Sequence, residues 1–343
     1  MTASEFDLRD PHLRILECTS CDEPVSAPQH ERVTLRCGYC GFEDQRELAP
    51  LRSSEEERSV YRSASQSTQS RKLRMDLDSK IAGLPRFNPV PAARKLYLER
   101  KRALAGSTTE DTLARTTLEW ELLHVTTVLA ALYVLNRDWL LARAVLETTE
   151  ESLSIPAYRT LVLTRLARIA ASYDAPDLAE KWLSMCPQGL RVPEISSDMQ
   201  VARAMIARSR GDHTAVLDTL GHEKRPVTMA GNARWFAAAL RIDAYEKLGD
   251  AAAARRVWHI EELGYQNATM LATVARMYDL APAARERARR HRIIVLAALL
   301  TALCAAVASL GSVPGGAAHL VYGAIIVGVC LGLLLRRWRQ RRA

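Results

Sequence analysis

The sequence predicts a mainly α protein: a solenoid of helical repeats between a small N-terminal β segment and a C-terminal pair of apolar helices. Three observations carry this. Four cysteines stand in two close pairs before residue 41, a pattern of small and apolar residues recurs every 37 or 38 positions between 110 and 264, and two uncharged nineteen-residue runs near the C-terminus are flanked by arginine. The composition of the 343 residues agrees: 48% are apolar, 25% are charged and only four are Phe, while Ala and Leu abound. Such a chain is neither disordered throughout nor collagen-like, and seven cysteines in this length exclude a disulfide-stapled mini-protein.

The cysteine pairs are Cys18-Thr-Ser-Cys21 and Cys37-Gly-Tyr-Cys40, fifteen residues apart. Two residues between cysteines let one tight turn aim both sulfurs at one ion, so the pattern reads as a tetrahedral site with Cys18, Cys21, Cys37 and Cys40 as ligands. Zn2+ in a structural role is the expected occupant, and the same spacing accommodates iron. Four protein ligands leave no position for a catalytic water. Gly41 follows the second pair where positive φ is often needed, and Asp22 stands at the matching place after the first, Asp tolerating that region better than most residues. Val33-Thr-Leu-Arg36 alternates apolar and polar residues and predicts a strand entering the second turn.

The stretch Ile15-Leu16-Glu17-Cys18-Thr-Ser-Cys21, Pro24 and Leu35-Arg36-Cys37-Gly-Tyr-Cys40-Gly41 resembles a rubredoxin-like zinc ribbon over about a tenth of the chain. The resemblance implies metal and says nothing of role. Residues 14–47 hold four basic and seven acidic side chains, and four thiolates on one Zn2+ add a net −2, so this segment is expected to repel phosphates.

The recurring pattern aligns Arg137-Asp138, Asp174-Ala175, Gly211-Asp212 and Gly249-Asp250. Five residues after the first member of each pair stand Ala142, Ala179, Val216 and Ala254; nine after stand Leu146, Leu183, Leu220 and Trp258; seven before stand Ala130, Ala167, Ala204 and Ile242. Small residues where two helices must touch, with a larger apolar residue one turn on, describe a helix–turn–helix unit. Pro156, Pro193 and Pro226 punctuate the connections. Ser107-Thr-Thr-Glu110 reads as a capping box for the first long helix.

This pattern resembles a tetratricopeptide repeat array with units somewhat longer than the usual 34. Arg241 and Arg203 depart from it, standing where an apolar residue is usual. The resemblance implies a protein-binding scaffold with a concave inner surface.

At the C-terminus, Ile293 to Gly311 and Ala317 to Leu335 are each about 28 Å long as helices, close to the hydrocarbon thickness of a bilayer. Ser312-Val-Pro-Gly-Gly316 joins them; five arginines stand between 285 and 292 and five more between 336 and 342. Positive charge stays on the cytoplasmic side, which predicts a two-span anchor in the inner membrane with both termini in the cytoplasm. Gly328 and Gly332 form a GxxxG pair that can serve the hairpin or a homodimer. With no carboxylate or Lys in either run, a transport path is not expected.

The net charge of +8 is concentrated. Residues 1–60 carry −6, residues 61–104 carry +8, residues 105–284 carry −3, and the two arginine clusters carry the rest. Forty of the 47 basic residues are Arg, a bias expected of a GC-rich, bacterial genome. The expected organisation is a ribbon over 1–50, a basic linker with short helices over 51–106, helical repeats over 107–281 and the membrane hairpin over 282–343. In the linker, Leu96, Tyr97 and Leu104 form an apolar side expected to dock on the first repeat. No HExxH, phosphate-binding loop, GxSxG or GxGxxG pattern occurs, the eight histidines are scattered, and Cys186 has no evident partner. The expected function is therefore non-enzymatic: a membrane-anchored adaptor that binds protein through its repeats and ribbon. The alternative is a membrane-tethered nucleic-acid-binding or regulatory protein that uses the basic segment 61–104, with Arg100, Lys101 and Arg102 on phosphate.

Overall fold

A computed structural model of the chain describes residues 9–10, 13–28, 32–47, 76–85, 87–107, 112–187, 192–262 and 265–286. It is mainly α with a small N-terminal β portion. Residues 1–282 form one compact unit and 283–343 a second. The two expected membrane runs, with Gly328 and Gly332, lie outside the described residues, as does the linker over 51–75.

The β portion is two antiparallel hairpins: β1 (Leu13–Glu17) with β2 (Pro24–Pro28), and β3 (Arg32–Arg36) with β4 (Glu43–Glu47). Each cysteine pair forms the turn of its own hairpin. In the register, Glu17 pairs with Pro24 and Arg36 with Glu43, so each pair begins where its ladder ends. The fifteen residues between the pairs are thus used mostly as β2 and β3. A small apolar cluster of Leu16, Ala27 and Leu35 joins the hairpins.

After a short helical stretch over 76–82 come α1 (Val90–Ala105), α2 (Thr112–Asn136) and α3 (Trp139–Ser152). They are followed by α4 (Pro156–Ser172), α5 (Pro176–Ser184), α6 (Pro193–Ser209), α7 (His213–Leu220), α8 (Ala233–Lys247), α9 (Ala251–Glu262) and α10 (Tyr265–Met277). Pro156, Pro176 and Pro193 open their helices, where the missing N–H costs nothing. Ser107 does not begin α2: its hydroxyl donates to the Leu104 carbonyl at 2.7 Å and finishes α1. Residues 108–111 lie outside the described part.

Helices α2/α3, α4/α5, α6/α7 and α8/α9 are antiparallel pairs whose turns share one geometry. Arg137, Asp174, Gly211 and Gly249 all have positive φ, between 59° and 83°. The next residue in each case (Asp138, Ala175, Asp212, Asp250) donates its N–H to the carbonyl five residues earlier, at 2.9 to 3.1 Å. This is the left-handed C-terminal closure of a helix, which satisfies carbonyls the helix cannot. Asp212 and Asp250 then cap the following helices through the N–H groups of Ala215 and Ala253, both at 2.9 Å. The small residues of the pattern sit where backbones approach: Ala142, Ala179, Val216, Ala254, Ala167, Ala204 and Ile242 are all fully buried.

Among the described residues one helical segment, Ala114–Asn136 within α2, is long and apolar enough to cross a bilayer, and 56% of its most apolar window is buried inside the protein. It packs against α1, α3 and α4, and a core helix of a soluble body meets the same test.

One side of the helical body meets one short segment. The carbonyl of Met277 accepts from Arg137 (3.3 Å), that of Asp279 accepts from Arg208 (3.2 Å), and the N–H of Ala281 donates to Asp243 (2.8 Å). Between these, Tyr278 packs edge-on against Phe236, with ring centroids 5.3 Å apart. Residues 277–281 therefore touch three of the four pairs.

Candidate metal centre

The two cysteine turns are near copies. In the first, the Cys18 N–H donates to the Glu23 carbonyl and the Asp22 N–H to the Cys18 carbonyl, at 2.8 and 3.0 Å; in the second, Cys37 to Phe42 and Gly41 to Cys37, both at 2.9 Å. Each turn closes on a residue in the left-handed region, Asp22 with φ 58° and Gly41 with φ 72°. A Cβ at Gly41 would meet nothing within 4 Å, so conformation rather than space favours glycine there.

All four Sγ atoms lie within 4.8 Å of one another. Cys18 and Cys40 are 3.7 Å apart and Cys21 and Cys37 3.6 Å. A tetrahedron with metal–sulfur bonds of about 2.3 Å has edges of about 3.8 Å, so the four positions fit one tetrahedral ion such as zinc. Spacing and distance do not distinguish zinc from iron. Cys18 and Cys37 are buried, Cys21 is half-buried and Cys40 is exposed.

The thiols are not equivalent. The Phe42 backbone N–H holds Cys40 down at about 7, against the weaker opposing effect of burial. The Glu23 backbone N–H pulls Cys21 down, yet desolvation and the adjacent thiols of Cys37, Cys40 and Cys18 push it up to about 12. Cys18 is raised, chiefly by burial. Without metal, Cys40 therefore ionises before Cys21. A cation that binds four thiolates displaces the remaining protons.

The first hairpin is built into the helical body. The Ile15 N–H donates to Glu147 Oε2 (2.7 Å) and the Glu17 N–H to Thr148 Oγ1 (2.8 Å), while Arg143 donates to the Leu13 carbonyl. These groups belong to alternate residues of β1, on the edge that does not pair with β2, so side chains of α3 cover an otherwise open strand edge. Arg14 pairs with Glu150 (2.9 Å) and Glu151 (3.3 Å). From α1, Tyr97 and Lys101 both donate to Glu17 Oε2, at 2.7 and 2.9 Å, and Arg94 donates to the Asp22 carbonyl at 2.7 Å. Arg14, Glu17, Arg143, Glu147, Thr148 and Glu150 are each at most 5% exposed.

The second hairpin has a different environment. Its turn residues Tyr39 and Phe42 are 60% and 43% exposed. Its links to the first hairpin include the apolar clusters of Leu16, Ala27 and Leu35 and of Cys18, Val25 and Cys37, the sulfur cluster itself, and a 3.0 Å hydrogen bond from Thr19 to Asp44.

Other residues named from the sequence are placed as follows. Leu96, Tyr97 and Leu104 are buried, but Tyr97 also reaches the ribbon. Arg100 pairs with Glu121 at 2.9 Å and Lys101 with Glu17, so both cations are engaged inside the protein. Cys186 is buried and its Sγ donates weakly to the Trp182 carbonyl at 3.6 Å. His124 stacks on Trp120 and faces Asp78 at 3.2 Å. Sequence reasoning did not find Glu147, Thr148 or Glu150; their only trace is the run Glu147-Thr-Thr-Glu150, where polar residues replace the apolar ones an inward helix face normally carries.

Comparison with family models, curated proteins and solved structures finds no match to this chain.

Proposed function

We propose that the chain is a membrane-anchored, non-enzymatic scaffold: a tetratricopeptide-like array carrying a zinc ribbon on its first unit and held at the inner membrane by the hairpin 293–311/317–335. The observation that carries the reading is the recurrence, at intervals of 37, 37 and 38 residues, of one turn geometry between paired helices. Units that bury one another's apolar faces yield extended surfaces suited to protein partners. On this reading the metal is structural, because all four coordination positions come from protein. The helical face near 277–281 is already occupied by the protein's own segment, so a partner binds beside that segment or displaces it. The arginines at 285–292 and 336–342 set both termini on the cytoplasmic side, and Gly328 with Gly332 supports the hairpin or a homodimer.

The nucleic-acid reading draws less support, since Arg94, Arg100 and Lys101 of the basic helix are engaged with Asp22, Glu121 and Glu17.

Topology and partner class test the proposal together. In intact cells a membrane-impermeant thiol reagent is expected to label a cysteine placed at Gly315 and to spare one placed at Gln340. From detergent extract, full-length protein is expected to retain a protein partner through a salt wash. Labelling at Gln340, or a full-length chain soluble without detergent, refutes the anchor. Salt-sensitive recovery of RNA or DNA, lost on neutralising Arg100, Lys101 and Arg102, refutes the adaptor reading.

A further inference from the structure

The four sulfurs of the ribbon do not face solvent equally. Cys18 and Cys37 are 4% and 2% exposed, Cys21 is half-buried and Cys40 is exposed. Tyr39, Gly41 and Phe42 around Cys40 are exposed as well, and a Cβ at Gly41 would meet nothing within 4 Å. The approach to Cys40 is therefore open to a small solute, while Cys18 and Cys37 are sealed from it.

The sulfurs also meet across the ribbon. Cys40 Sγ lies 3.7 Å from Cys18 Sγ, and Cys21 Sγ lies 3.6 Å from Cys37 Sγ. Each contact joins the turn of one hairpin to the turn of the other. Sulfurs in a disulfide are about 2.05 Å apart, so either pair closes by a movement of less than about 2 Å. The Ser20 N–H donates to Cys18 Sγ at 3.4 Å and holds that sulfur in the cluster. Cross-links in these pairs keep the two hairpins joined, whereas cross-links within Cys18–Cys21 or Cys37–Cys40 leave them without any sulfur link.

We propose that the ribbon is a peroxide-sensitive switch in which two disulfides between the hairpins, Cys18–Cys40 and Cys21–Cys37, take the place of the ion. It rests on the metal reading of the four cysteines, since ligation keeps all four sulfurs as thiolates, the nucleophilic form. The oxidant is a hydroperoxide. The Cys40 thiolate attacks one peroxide oxygen, the S–O bond forms, the O–O bond breaks and hydroxide leaves, so that Cys40 becomes a sulfenic acid. The Cys18 thiolate then attacks that sulfur, the S–S bond forms, the S–O bond breaks and a second hydroxide leaves. Two sulfurs have lost one electron each and the two peroxide oxygens have gained one each. A second hydroperoxide joins Cys21 to Cys37 in the same way. No thiolate then remains to hold a cation, and the second hairpin stays fastened to the first by covalent bonds. A dithiol reductant reverses both steps by thiol–disulfide exchange.

The test uses the full chain in detergent micelles, loaded with zinc, its metal content measured before hydrogen peroxide is added. Release of the ion to a chromogenic chelator is expected, with about two equivalents of peroxide consumed per ion. Dimedone, which traps sulfenic acids, is expected to mark Cys40 before any other cysteine, and Cys186, 2% exposed, is expected to stay reduced. Non-reducing peptide maps are expected to show Cys18–Cys40 and Cys21–Cys37. Amides of 32–44 are expected to stay protected after oxidation, and dithiothreitol with zinc to restore the ion. In Cys18→Ser, which lacks the resolving thiol, the dimedone adduct at Cys40 is expected to accumulate severalfold. A chain that holds no zinc before oxidation refutes the metal reading and the exchange with it. Zinc retained under peroxide, cross-links within Cys18–Cys21 or Cys37–Cys40, a first adduct elsewhere than Cys40, or rapid exchange at 32–44 after oxidation would each overturn the switch and leave the metal reading standing.

Discussion

Glu147 on α3 accepts the backbone N–H of Ile15 on β1 at 2.7 Å with one carboxylate oxygen and Arg143 Nε at 2.5 Å with the other. One side chain thus closes a strand edge and holds a buried cation that itself donates to the Leu13 carbonyl. The carboxylate feels opposing influences: burial raises its pKa, and Arg143 and Arg14 lower it. Its value to the fold comes from having both oxygens matched, since a buried ion pair contributes only when its remaining hydrogen bonds are satisfied.

Truncation of Glu147 should therefore be severe. Glu147→Ala removes the carboxylate that Arg143 Nε and the buried Ile15 N–H both use, a loss of about 3–5 kcal/mol. Denaturant unfolding of the full chain in micelles should show the midpoint fall, and amide exchange at Ile15 should accelerate first. Tyr97→Phe is the mild counterpart: Lys101 still satisfies Glu17, and the cost is about 1 kcal/mol. Equal effects from the two substitutions would contradict the network.

Removal of the metal should act on one half of the ribbon. The first hairpin has hydrogen bonds to α1 and α3 that do not involve the ion, whereas the second, among the described residues, is held chiefly by the sulfur cluster, two small apolar clusters and the exposed Thr19–Asp44 hydrogen bond. Cys37→Ser with Cys40→Ser should abolish about one equivalent of bound metal, measured by elemental analysis. Amides of 32–44 should then exchange rapidly while those of Ile15 and Glu17 stay protected. Loss of protection at both sites together would show that the ion holds the whole β portion.

Metal affinity should fall with acid, and the thiol environments give the range. Cys40, held down at about 7 by the Phe42 N–H, ionises well before Cys21, pushed up to about 12. Below about pH 7 Cys40 joins Cys21 in holding a proton that the ion must displace, so affinity drops more steeply there. Above it, fewer protons are released per ion bound. Calorimetry in buffers of different ionisation enthalpy should count more protons at pH 6 than at pH 8. A count independent of pH would rule out this order of ionisation.

What the sequence disclosed and what it hid follow from the range of the interactions. The clustering of the four cysteines was legible because two residues between cysteines is a local constraint, and the same logic placed Asp22 and Gly41 at their positive φ. The turns at Arg137, Asp174, Gly211 and Gly249 were legible because one backbone solution recurs with one spacing. The docking of β1 on α3 was not: Ile15 and Glu147 are 132 residues apart, and nothing local marks a glutamate that will accept from a strand. The contacts of residues 277–281 were hidden for the same reason, as was the engagement of Arg100 and Lys101, whose charges read from sequence as free.

The turns themselves yield the last prediction, because positive φ has different consequences at different sites. A Cβ at Gly221, whose φ is 78°, would lie 2.4 Å from the Arg225 carbonyl oxygen and 2.7 Å from the Val227 nitrogen. That nitrogen donates to the Leu220 carbonyl at 3.0 Å, so the loop cannot move aside without breaking its own closure. Gly221→Ala should cost about 3 kcal/mol or more, as strain and overpacking combine. At Gly249, with φ 83°, the space is open, and Gly249→Ala should cost only the conformational penalty of about 1–2 kcal/mol. Asp174→Gly, at φ 59°, should stabilise by up to about 1 kcal/mol. Arg137→Gly should gain less, because the arginine also donates to the Met277 carbonyl and lies 5.7 Å over the Trp139 ring. Thermal unfolding of the four variants should rank them Asp174→Gly, Arg137→Gly, Gly249→Ala, Gly221→Ala from most to least stable. Gly249→Ala falling as far as Gly221→Ala would mean that conformation, and not the crowding by Arg225 and Val227, decides the cost.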